Sequence, residues 1–288
     1  MSDTDPSPAA ETRRRANDLE GAEWTRFSLS VWNDIRKSAD EMLLGHPALF
    51  PAVLVERVIR CFTREGARRV LDPFCGSGSS LLAAARLGGS GIGFEISEEY
   101  RELAQRRFAA AELPDSAWEL HGESAGRIPV LLPPASVDLC VTSPPYWDIL
   151  SQKRTADGRD TRDYAGGAAE EDLSRIREYK AFVEALGRIL EGVRTVLKPG
   201  AYCVVNVMDL RKKARFYPLH SDLATRLTDP ARGGGFLLDD LIVWDRRSEY
   251  NFLRPLGYPA VFRINKVHEY LLIFQNPREA GPAGGASG

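Results

Sequence analysis

Through the first half of the chain, short apolar and β-branched runs alternate with helical patterns: RVLD, then SSLLAAARL, GIGFE, EEYRELAQRRFAAAEL, WELH and VDLCVT. Strand-length runs separated by helix-length ones read as βαβ units on a parallel sheet. The second half predicts one long helix over 172–197, stopped by Lys198-Pro199-Gly200, and then the strand AYCVVNV. A helix over 219–228, a strand over 237–244 and a last strand, EYLLIF, over 269–274 complete the pattern. About seven strands result, with helices to cover both faces of the sheet. Three stretches fit no regular element: 151–171, 211–217 and 245–266. Long loops in a compact domain are more often functional than accidental. Residues 1–22 are poor in large hydrophobes and 277–288 are mostly Gly, Ala and Pro, so both are expected as disordered tails around a single domain over 23–276.

Composition narrows the class. The 288 residues carry 38 Lys+Arg against 40 Asp+Glu, a formal net charge of -2, with 43% hydrophobic residues. That balance supports a large core and argues against a uniformly basic nucleic-acid binder, while leaving room for local basic strips. No stretch approaches the ~18 apolar residues of a spanning helix. Cys61, Cys75, Cys140 and Cys203 are isolated, without a CxxC pair, so reduced thiols and no metal site are expected. The start, MSDTDPSPAA, lacks the basic and apolar regions of a secretory signal, which makes the cytoplasm the expected location.

The segment Leu71-Asp72-Pro73-Phe74-Cys75-Gly76-Ser77-Gly78-Ser79-Ser80 ends a predicted strand and opens a helix. Its glycines allow a tight turn and close approach of a ligand. A phosphate-binding P-loop needs Gly-Lys-Ser/Thr here, and no lysine follows Gly78. A dinucleotide loop needs a third glycine where this chain has Leu81, which weakens NAD or FAD without excluding it. Glu95 ends the next predicted strand, so in a Rossmann-like sheet Asp72 and Glu95 share one edge of the crevice. A carboxylate there can accept both hydroxyl hydrogens of a ribose. Asp72 lies under the loop, with a cationic ligand tail or the loop's own N–H groups as its partners.

A further strand runs into Thr142-Ser143-Pro144-Pro145-Tyr146-Trp147. The prolines fix φ and bias Ser143 towards extended backbone, so the Ser143 hydroxyl and the Pro144 carbonyl can face one point. Two acceptors with an aromatic ring beside them suit an exocyclic base amine, whose N–H groups they accept while Tyr146 stacks on the base. Such an amine is a poor nucleophile because its lone pair is delocalised. Two acceptors favour the pyramidal nitrogen and aim that lone pair at an electrophilic methyl.

Together the two motifs resemble the S-adenosylmethionine-dependent DNA amino-methyltransferases, which methylate N4 of cytosine or N6 of adenine. The resemblance extends over about residues 24–276 and implies a Rossmann-like class I methyltransferase fold with a mostly parallel sheet. By similarity, Asp72, Phe74, Gly76, Gly78 and Ser79 belong to the S-adenosyl-L-methionine loop and Glu95 holds the ribose. Glu123 and Ser124 stand near the adenine, where the family usually has an aspartate. Phe50 and Pro51, before the helix VLVERVIRCF, resemble the element covering the methionine end, and KVHEYLLIFQ resembles the last strand. Ser143, Pro144, Pro145 and Tyr146 match the catalytic element. The cofactor motif precedes the catalytic one, and serine at the first catalytic position leans towards cytosine N4.

Such a reaction implies DNA as partner, with the target nucleotide flipped into the pocket, and a cognate restriction endonuclease as a second partner. The candidate phosphate contacts are Lys153 and Arg154, then Arg211, Lys212 and Lys213, then Arg246, Arg247 and Lys266. All follow the carboxyl ends of predicted strands, the face where the crevice opens. Adenine-N6 or RNA methylation, or a non-catalytic subunit that binds the cofactor or DNA, are the alternatives.

Overall fold

A computed structural model of the protein describes residues 15–43, 50–147, 172–212, 214–249 and 255–278. The strands in chain order are β1 (Val31–Trp32), β2 (Arg69–Asp72), β3 (Ser90–Phe94), β4 (Trp118–His121), β5 (Val137–Thr142), β6 (Leu197–Val207), β7 (Leu210–Lys212), β8 (Arg215–Tyr217), β9 (Leu237–Asp245) and β10 (His268–Gln275). Eight of them form one sheet in the order β1-β9-β10-β6-β5-β2-β3-β4, and β7 and β8 pair separately. β10 runs antiparallel to both its neighbours, and every other pairing in the large sheet is parallel. This is the Rossmann-like sheet that the alternating runs predict.

The helices are α1 (Gly21–Phe27), α2 (Ala39–Leu43), α3 (Ala52–Phe62), α4 (Ser79–Arg86), α5 (Glu98–Ala110), α6 (Ile128–Leu131), α7 (Tyr179–Val196) and α8 (Leu219–Thr228). None is long and apolar enough to cross a membrane among the described residues. Side chains that alternate along each strand divide the core in two. Leu272 and Phe274 of β10, with Cys203 and Val205 of β6, pack on α7 and α8, burying Phe182, Leu186, Leu190 and Leu223. Leu271, Ile273 and Val204 point the other way, onto Leu54, Val58 and Ile59 of α3. Leu81 is accommodated where a dinucleotide fold has glycine because the small residue stands on the strand instead: a Cβ on Gly91 of β3 would lie 2.6 Å from the Leu81 Cα.

Five expectations are corrected. The helix expected over 172–197 is two elements, a short turn at Leu173–Arg175 and then α7, because two carboxylates cap separate starts. Asp172 accepts from the Ser174 N–H at 2.9 Å and Glu178 from the Lys180 N–H at 3.0 Å. Lys198-Pro199-Gly200 stops the helix but already belongs to β6. Residues 211–217, expected to be irregular, contribute most of the β7–β8 hairpin, in which Leu210 pairs with Tyr217 and Arg211 with Phe216. The tail expected over 1–22 does not include 15–22: Asn17 and Leu19 are buried, and Asn17 Nδ2 donates to the Cys61 carbonyl at 2.9 Å. Within the large sheet, the strand beyond the seven expected is β1, a two-residue edge held parallel to β9 through Trp32 opposite Trp244.

Candidate active site

Three neighbouring strands, β3, β2 and β5, end side by side, and their carboxyl ends deliver Glu95, Asp72 and Ser143 to one cleft. Asp72 is 3% exposed and ties the floor together. Its Oδ1 accepts the Phe74 N–H at 3.0 Å and the Thr142 hydroxyl at 2.5 Å, while Oδ2 accepts the Ser80 hydroxyl at 2.5 Å. One carboxylate thus joins the ends of β2 and β5 to the first turn of α4. Burial pushes the Asp72 carboxyl up to about 6, against the opposing effect of those three donors. Neither Thr142 nor Ser80 stood among the residues singled out from the sequence. Their hydroxyls next to the two motifs were the available signal.

The glycine loop leaves bare backbone at Gly76, whose N–H donates to Glu95 Oε2 at 3.1 Å. The Ser97 N–H donates to Glu95 Oε1 at 2.7 Å, and burial raises the Glu95 carboxyl above its ordinary range. Gly78, also expected at the ligand, packs beside α5. At φ +78°, it turns the chain into α4, and a Cβ there would meet the Phe108 ring at 2.5 Å, so its bareness serves packing against α5. Phe50, Phe74, Ser79, Glu123 and Ser124 line the cleft, whereas Pro51 is buried at the start of α3 and does not. Glu123 is exposed, 3.8 Å from His121, and His121 stacks on Phe94 at 4.5 Å between ring centres. Asp172, Leu173 and Ser174 close the cleft from the far side.

Ser143, Pro144, Pro145 and Tyr146 form the wall opposite Glu95. The Tyr146 hydroxyl donates to Glu269 Oε2 at 2.9 Å, and Asn206 Nδ2 lies 3.4 Å from Ser143 Oγ and 3.3 Å from Tyr146 Oη. Burial, with the Glu269 carboxylate beside it, drives the Tyr146 hydroxyl far above its ordinary range, so it stays protonated. Trp147 adopts φ +49°, uncommon for a bulky side chain, and is held there by Nε1 donating to the Ile176 carbonyl at 2.7 Å.

The candidate phosphate contacts divide. Lys153, Arg154 and Lys213 lie outside the described residues. Arg211 and Lys212 occupy β7, with Lys212 Nζ 4.2 Å from the Trp147 ring centre and Lys266 Nζ 4.8 Å from that of Phe216. Arg247 pairs with Asp245 at 2.6 Å and remains largely exposed. Arg246 is corrected. Its guanidinium is turned inward onto Glu269 and, at 2.7 Å, onto Glu249, because the antiparallel pairing of β9 and β10 brings their ends together.

A Rossmann-like sheet with a glycine loop, one buried and one partly buried carboxylate and a proline-rich wall around one crevice defines a protein of the nucleoside-cofactor class. Within that class the chain belongs to the DNA methylase family, whose model matches residues 4–106 and 137–282. Type II methyltransferase M.ScaI of Streptomyces caespitosus is 44% identical over 67 residues, which are 23% of this chain and 21% of that protein. Type II methyltransferase M.MthZI of Methanothermobacter thermautotrophicus is 30% identical over 158 residues, 51% of this chain and 41% of its own. The chain therefore matches well under half of the length of these curated relatives. Among solved structures, Thermus thermophilus TTHA0409 complexed with S-adenosyl-L-methionine is 28% identical, covering 53% of this chain and 51% of that one at a TM-score of 0.35. Thermus thermophilus TrmN is 20% identical, covering 80% and 50% at a TM-score of 0.48.

Proposed function

We propose that the protein transfers a methyl group from S-adenosyl-L-methionine to the N4 amine of a cytosine flipped out of duplex DNA. The supporting observation is that one cleft, about 1190 Å³ with its open mouth included, has the glycine loop and Glu95 on one wall and Ser143-Pro144-Pro145-Tyr146 on the other. Its residues fit the cofactor. Gly76 offers bare backbone, and each Glu95 oxygen accepts one backbone N–H and keeps a lone pair for a ribose hydroxyl. When bound, the cofactor supplies an electrophilic methyl.

This chain's own part is to orient the acceptor amine. Ser143 Oγ accepts one N–H and draws the nitrogen lone pair out of conjugation with the ring, while Pro144 and Pro145 fix the wall it approaches. The preference for cytosine rests on serine at that position. Incubation with S-adenosyl-L-methionine and unmethylated duplex DNA, digestion to nucleosides and mass spectrometry are expected to yield N4-methylcytosine. N6-methyladenine would keep the mechanism and replace the base, and product in RNA alone would replace the substrate. No product with the cofactor still bound would make the chain a non-catalytic subunit. The Type II names of the relatives support a restriction endonuclease as partner.

The duplex path starts at the cleft wall, where Lys212 stands over Trp147, and continues along Arg211 to Lys266 beside Phe216. Replacing Arg211 and Lys212 together with glutamine is expected to flatten the dependence of log affinity on log salt by about 1.8, two phosphate contacts at about 0.9 each. An unchanged slope in titrations from low to moderate salt takes the hairpin off the DNA path.

A further inference from the structure

Glu269 is a carboxylate near the start of β10, 3% exposed, on the strand face that carries the buried Leu271 and Ile273. Such a position is costly unless every oxygen is satisfied. Here Oε2 accepts from Tyr146 Oη at 2.9 Å and from Asn206 Nδ2, and Oε1 accepts from Arg246, which also holds Glu249. An ionised carboxylate only accepts, so it imposes a direction on each partner. Tyr146 points its hydroxyl proton at Glu269, which leaves the Tyr146 oxygen as an acceptor 3.4 Å from Ser143 Oγ. Asn206 turns its amide nitrogen to the same carboxylate, which leaves its other N–H facing Ser143 Oγ at 3.4 Å and Tyr146 Oη at 3.3 Å. A serine hydroxyl is otherwise a free rotor, able to present either its proton or a lone pair to a ligand.

We propose that Glu269 is a positioning residue for the methyl-transfer site: through Tyr146 and Asn206 it turns the Ser143 proton away from the cleft, so that Ser143 Oγ meets the target amine as an acceptor. The chain of donors runs from the amine to Ser143, from Ser143 to Tyr146 and from Tyr146 to Glu269. The approaches at Ser143 and Asn206 are 3.3–3.4 Å, within hydrogen-bond reach. The inference rests on the methyl-transfer reading.

The test is a double-substitution cycle on the full chain, with kcat, the KM for DNA and the cofactor Kd measured for each protein. Glu269→Gln keeps the shape but can donate to Tyr146 and so reverse the chain. It is expected to lower kcat at least about thirtyfold while the KM for DNA and the cofactor Kd stay within about twofold. Tyr146→Phe keeps the ring and removes the relay oxygen, and is expected to show the same split. It also carries the test alone if the Glu269 variant fails to fold around the stranded Arg246. With both changes the loss should fall short of the product of the two single losses, because Glu269 acts in part through Tyr146. A kcat within twofold of wild type in Glu269→Gln, or in Tyr146→Phe when that variant stands alone, overturns the proposal, as do losses that multiply in the double variant. A wild-type protein that methylates no substrate overturns the underlying reading as well, and an active wild type with undiminished variants overturns this inference alone.

Discussion

Replacing Ser143 with alanine is expected to lower methyl transfer by about 10²- to 10³-fold, the loss that follows removal of one preorganised hydrogen-bonding group from a reacting centre. Cofactor affinity is expected to stay within about twofold, because the cofactor wall is built without Ser143: Asp72 is held by Phe74, Ser80 and Thr142, and Glu95 by Gly76 and Ser97. The fold should tolerate the change at a cost of about 1 kcal/mol or less, since the recorded contacts of the hydroxyl are the 3.4 Å approaches of Tyr146 and Asn206. Single-turnover transfer measured beside calorimetric cofactor binding separates the two effects. Full turnover in the variant removes the hydroxyl from the reaction. Equal losses of turnover and cofactor affinity would instead mean that Ser143 supports the glycine loop.

The parts of the site that are legible in the sequence are those whose signal is local. Asp72 and Gly76 stand four residues apart on one turn, and Ser143 to Tyr146 are consecutive, so a strand end followed by punctuating residues is enough to place them. The supports behind the catalytic wall are not local. Glu269 reaches Tyr146 across 123 positions and Asn206 reaches Ser143 across 63, and only the register of β10 beside β6 brings them together. A trace remained: Asn206 in AYCVVNV and Glu269 in EYLLIF are polar residues in runs that otherwise read as buried strand. The pairing of Arg246 with Glu269 follows from the register of β10 beside β9, which no count of surface arginines contains. The β7–β8 hairpin escaped because the residues joining its strands, Lys213-Ala214, are neither glycine nor asparagine, the usual signs of a tight turn. The long helix was read as continuous because its apolar period runs through 172–197, while the caps at Asp172 and Glu178 act on backbone N–H groups that a hydrophobicity pattern does not register.

Asp72 carries the other large effect, and it acts on the cofactor rather than on turnover. Asp72→Ala leaves the buried Thr142 and Ser80 hydroxyls, at about 1–3 kcal/mol each, and the partly buried Phe74 N–H without their acceptor. The loop between β2 and α4 then loses its anchor, and cofactor affinity is expected to fall at least about a hundredfold, some 3 kcal/mol. Unchanged affinity by calorimetry would remove Asp72 from the cofactor site. Asp72→Asn, which keeps the shape, isolates the charge. Burial raises this carboxyl to about 6 in the folded protein, from near 4 in an unfolded chain. Between those values the folded state binds the proton that the unfolded state has released. The contribution of this group is therefore fully present below about pH 4 and is lost as pH rises to about 6, about 3 kcal/mol in all. The stability of wild type relative to Asp72→Asn should decline through that window and level off above it. Urea unfolding of the two proteins at intervals from pH 4 to 7 reads the difference directly. A constant difference would mean that Asp72 does not titrate there, and that its three donors hold it ionised throughout.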